Sequence, residues 1–144
     1  MTNYYFRIYA VTLVAFMVID LTYLSLLAPT FYLAQVGHLM ASTTNWTAVG
    51  LFYLEIVAGL VVFVILPGLA TTSFRQPLAR AMLFGLVTYG TYELSNLATL
   101  KGWSASVTAV DTLWGMFLCF VVSVVSLRFA RRLGTRAPRQ SVKE

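Results

Sequence analysis

The sequence predicts an all-α bundle of four transmembrane helices, and three observations predict it. The 144-residue chain is 59% hydrophobic and only 10% charged, whereas a soluble domain carries about 25% charged residues. Its mean hydropathy is +0.79, and its apolar residues fall in four segments of about 20 residues, the length that crosses a hydrocarbon core as a helix. The basic residues lie almost wholly at those segment ends that an even number of crossings would place on one side, as expected of cytoplasmic flanks.

The first segment, "IYAVTLVAFMVIDLTYLSLLA" at 8–28, is expected to stop at Pro29. It is too long for a signal-peptide core and reads as a retained helix. The following loop, "PTFYLAQVGHLMASTTNW", places Tyr32, Val36, Leu39 and Met40 on one helical face, which predicts a short interfacial helix. The second segment, 47–66, is expected to stop at Pro67 and Gly68. The third is 81–100 and the fourth about 105–127. Residues 1–133 therefore read as one transmembrane domain, and 134–144, with Gly134 and Pro138, as a basic flexible tail. Nine of the ten Lys and Arg residues fall on the side of the termini, against Lys101 alone on the other. Both termini are expected to be cytoplasmic.

Composition also excludes some functions. A single cysteine, Cys119, permits no intrachain disulfide, and no Cys/His spacing suits zinc. The net charge of +5 comes from residues at segment boundaries, so it reads as a topology signal and not as a nucleic-acid surface. Trp46 and Trp103 read as interface anchors, and the basic tail as a contact for anionic lipid.

The acidic residues carry the strongest pattern. Apart from Glu144 they are Asp20, Glu55, Glu93 and Asp111, one in each segment. At 1.5 Å rise per residue all four lie roughly 9–12 Å below the outer surface. Helical phase places Tyr89, Tyr92, Asn96 and Thr99, with Gly85 and Thr88, in a wedge of about 140° beside Glu93. Asp111, Gly115, Cys119 and Ser123 form a small-residue line that allows close helix approach. Ala58 and Gly59 flank Glu55, and Tyr23 shares the Asp20 side with Thr12 and Phe16. An Asp at mid-helix costs about 2.5–3.5 kcal/mol on insertion scales, and intramembrane acids commonly mark ion paths, proton relays or ligand sites. Two carboxylates ~5 Å apart repel by about 3 kcal/mol at an effective dielectric of 20. A converged cluster would thus call for a cation: Lys101, His38, a metal, an amine or protons.

"YGTYELSNLATLKGW" (89–103), "VTAVDTLWG" (107–115), "VIDLTYL" in the first segment, and "GHL" with "NW" in the first outer loop resemble a family of predicted bacterial membrane proteins, domain-of-unknown-function family 2177. The resemblance covers nearly the whole chain up to the tail. It implies a four-helix protein of the bacterial cytoplasmic membrane and supplies no reaction. The family pattern reads Asp where this chain has Glu93, which keeps the carboxylate.

These readings converge on an intramembrane carboxylate pocket in the outer half of the bundle. Candidate catalytic residues are Glu93, Asp111, Asp20 and Glu55. Tyr23, Tyr89, Tyr92, Asn96, Thr99, Lys101 and Trp114 are candidate ligand-binding groups. The pocket is expected to take a cationic or polar-headed ligand, with lipid or another membrane-soluble molecule as substrate. The four acids are also the candidate metal ligands, suited to a hard divalent cation, although no cofactor is the simpler expectation. Partners are expected to be the bilayer and an amphipathic ligand, with a homo-oligomer open and no nucleic acid. Two other readings stay open. One is cation or proton transport, which the mostly apolar inner halves, broken by Thr12, Ser123 and Ser126, do not favour. The other is a structural or accessory subunit in which the acids are packing glue.

Overall fold

A computed structural model describes residues 2–134, so the expected basic tail falls outside the described residues except for Gly134. All regular structure among them is helical. The first long helix begins with α1 (Thr2–Leu27), passes through a π-turn at Ala28–Tyr32, and continues as α2 (Leu33–Val36) into a 3₁₀ turn at Gly37–Leu39. The second is α3 (Trp46–Leu60), a π-turn at Val61–Ile65 and α4 (Leu66–Leu69). The third is α5 (Arg75–Thr99) and the fourth α6 (Ala105–Gly134). Asn45 caps α3 by accepting from the Ala48 N–H at 3.1 Å.

Pro29 does not stop the first helix. A proline removes one helical hydrogen bond and crowds the preceding turn. Here the wider π-turn takes up the ring, and the helix bends on instead of ending. Pro67 follows a second π-turn, and that helix ends two residues later, at Leu69.

Three helical runs are long and apolar enough to cross a membrane: Asn3–Leu39, Trp46–Leu69 and Ala105–Gly134. The 25-residue α5 matches them in length and is more polar. It packs most extensively against α6, where Gly85 meets the backbone of Gly115 and Met116 and Gly115 lies under the Tyr89 ring. No side chain fits at either glycine, and the helices approach there as closely as backbones allow. Consecutive helices run antiparallel. α1 packs against both α3 and α6. The core is a seam of Ile8, Phe16, Val57, Leu60, Ile65, Leu118 and Val122, all fully buried. We call the end with α2 and the 100–104 turn the cap end, and the opposite one the termini end.

At the termini end Arg131 secures the turn after α4. Its guanidinium donates to the carbonyls of Thr71 at 2.9 Å and Thr72 at 3.0 Å and lies 4.0 Å over the Phe74 ring. Thr12 Oγ1 donates to Ser126 Oγ at 2.9 Å, joining α1 to α6 in the buried core.

Candidate functional site

The cap end is built where residues 28–40, continuing the first helical run, meet the 102–107 stretch. Tyr32 and Val36 turn inward onto Val107, while Leu39 and Met40, expected on the same face, are exposed. The register is pinned by polar contacts. Ser104 Oγ donates to Gln35 Oε1 at 2.7 Å. His38 lies over Gly102, whose φ of +82° and lack of a side chain permit both the turn and the imidazole contact. The "GHL" and "KGW" stretches, far apart in sequence, are thus two halves of one contact.

Under this cap three acids from three helices come together. Asp20, 4% exposed, accepts from Tyr53 OH of α3 and from Trp114 Nε1 of α6, each at 2.8 Å. Trp114 in turn stacks flat on Tyr23, 3.7 Å between centroids and 7° between planes. The Tyr23 hydroxyl shares a hydrogen bond of 3.1 Å with that of Tyr32, and Tyr32 OH donates to Asp111 Oδ1. Asp111 also lies close enough to the Glu93 carboxyl to feel its charge. Glu93, 1% exposed, accepts from Trp103 Nε1 at 3.1 Å. The result is one connected network of acids and aromatic donors running from α3 across α1 and α6 to α5.

No basic side chain among the described residues joins it. Lys101 and His38 are both exposed, and His38 lies beside Gly102. Three buried polar atoms along the same α5–α6 face, spread over about two turns, have no partner: Tyr89 OH, Asn96 Nδ2 and Thr112 Oγ1. Tyr89 lies close enough to feel Asp20, Asp111, Tyr53 and Cys119. A buried donor without a partner costs about 1–3 kcal/mol, so each of these atoms needs an account.

Glu55 does not join the cluster. The buried face of α3 is Tyr53, Ile56, Val57 and Leu60, and at about 100° per residue Glu55 falls on the opposite side. It is exposed on the outside of the bundle. Tyr92 and Thr99 are exposed as well. They sit about 100–120° from Glu93, whereas Tyr89 and Asn96 sit within about 60° and turn inward. No three acid, His or Cys side chains gather as a metal-ligand set among the described residues.

Sequence reasoning missed Tyr32, Tyr53 and Trp103. Tyr32 and Trp103 lie in the stretches that join helices, where the general pattern assigns aromatic residues to the membrane interface, and Tyr53 lies seven residues inside α3. The usable signal was the need of each buried acid for a neutral donor. An apolar cavity of about 350 Å³ opens between α1 and α3, walled by Leu13, Met17, Leu21, Val49 and Tyr53. Tyr53 thus faces this cavity on one side and holds Asp20 on the other.

A family model described as a predicted membrane protein family, DUF2177, matches residues 5–128. No curated protein and no solved structure matches the chain. The chain belongs to this family of predicted membrane proteins.

Proposed function

We propose that this family member binds the cationic or polar head of a membrane-dissolved molecule at Asp111 and Glu93 and acts on it by proton transfer. In this reading the cap end faces outward and both termini lie in the cytoplasm of a bacterium, as the distribution of Lys and Arg favours.

The observation that carries the reading is the nearness of a buried carboxyl, Glu93, to a half-buried one, Asp111, with no basic side chain beside them among the described residues and with unpartnered polar atoms nearby. Paired acids in a dry site share protons unequally, which suits one to give and the other to take a proton. Tyr89, Asn96 and Thr112 would complete the hydrogen bonding of the head. Asp20 holds Tyr53 and Trp114 in place and does not itself touch the ligand. The cavity between α1 and α3 would take the apolar part, and α2 with Tyr32 would move to admit the head.

A competing reading has its own observation: the donors to Asp20 and Asp111 come from other helical runs, as packing glue requires. One experiment separates the two. The purified protein is melted in detergent with a long-chain primary alkylamine or with the alcohol of the same chain length. We expect the amine to raise the melting temperature more than the alcohol, and the difference to vanish in Asp111→Asn/Glu93→Gln. Equal effects of amine and alcohol on the parent protein would leave the acids as glue.

A further inference from the structure

Glu55 presents a separate problem. It lies nine residues inside the start of α3 and fourteen from the end of α4, about 13 Å and 21 Å along the axis. Its side chain is therefore at hydrocarbon depth. It is exposed on the lipid-facing side and makes no hydrogen bond or ion pair among the described residues. Lipid tails offer a carboxyl nothing, and headgroups lie beyond its reach.

The surrounding surface is ordered. Leu51, Glu55, Ala58 and Val62 are all exposed, and their spacing of four, three and four residues is that of a helix–helix seam. Ala58 lets a second backbone approach. A polar residue in such a seam fixes register and the number of helices.

We propose that this stripe is the interface of a two-fold homodimer, with Glu55 of each copy bonded to Glu55 of the other on the axis. A second copy fits better than a foreign helix for two reasons. A two-fold makes the stripe its own complement. A protonated carboxyl both donates and accepts, so two of them satisfy each other, whereas a foreign basic partner would carry Lys or Arg into the bilayer at about 2.5–3.5 kcal/mol. The inference stands apart from the reading of the Asp111–Glu93 site.

The test is oxidative crosslinking of Val62→Cys in native membranes, with Val87→Cys on the exposed side of α5 as control, together with energy transfer between two labelled copies in liposomes. We expect Val62→Cys to give a product of twice the chain mass and Val87→Cys none. Glu55→Ala, which touches nothing inside the bundle, should weaken association roughly 5- to 30-fold, the equivalent of about 1–2 kcal/mol for one interhelical polar contact. Glu55→Gln, which can also pair with itself, should keep most of it. A product of another mass, equal crosslinking at both sites, or undiminished association of Glu55→Ala would overturn the proposal.

Discussion

At the termini end, Arg131 brings a permanent cation to backbone carbonyls at 71 and 72. At the cap end, Asp20, Glu93 and Asp111 meet only neutral donors: a tyrosine and a tryptophan for the first, a tryptophan for the second, a tyrosine for the third. The contrast is instructive. A cation on fixed dipoles gives one stable arrangement. Neutral donors on carboxyls leave the number of protons free to change, because the same O–H or N–H serves an ionised oxygen and a protonated acid's remaining oxygen alike. In the proposed reading, the termini end stays put and the cap end exchanges protons or a ligand.

The largest way to break this contrast is to prevent the α5–α6 approach on which the cap end rests. Gly115→Val would drive its side chain into Tyr89 and is expected to cost about 3 kcal/mol or more, read as a fall in melting temperature and loss of the amine response together. Asp20→Ala comes next. It strands Tyr53 OH and Trp114 Nε1, at about 2–4 kcal/mol for the two. Asp20→Asn should recover part of this, since its oxygen still accepts. Arg131→Ala sharpens the comparison from the other end. It should cost about 1–2 kcal/mol and speed proteolysis within 70–74 without touching the amine response. Smallest is Tyr32→Phe, about 1 kcal/mol. Its informative readout is faster carbodiimide labelling of Asp111, because the hydroxyl that covers one carboxyl oxygen is gone. Slow labelling in that variant would mean that α2 does not guard the site.

The helices were legible because crossing a bilayer imposes length and composition directly. For Asp20 and Glu93 the inward face was legible too, and Asp111 is turned half inward. The face of Glu55 was not legible, and the reason is physical. In water a helix shows its buried side by contrast with a polar one. In a membrane Leu51 and Val62 outside are as apolar as Ile56 and Val57 inside, so periodicity carries no sign. The flanking Ala58 and Gly59 suggested an interior, yet Ala58 is exposed. Tyr92 and Thr99 failed for a simpler reason, since a 140° wedge is wider than the strip a neighbouring helix covers. The continuation of the first helix through residues 28–39 was illegible because a proline was read as a stop, when a wider turn lets the helix pass it.

The stack of Trp114 on Tyr23 has an optical consequence. Two of the three indoles, Trp103 and Trp114, end on carboxyl oxygens, and the third, Trp46, is exposed. Emission from the two inner indoles should shift and change in yield whenever Glu93 or Asp20 gains a proton or α2 lifts, while Trp46 reports only the lipid around it. With Trp46 replaced by Phe, the protein becomes its own fluorimeter, reading the state of its acids with no added dye.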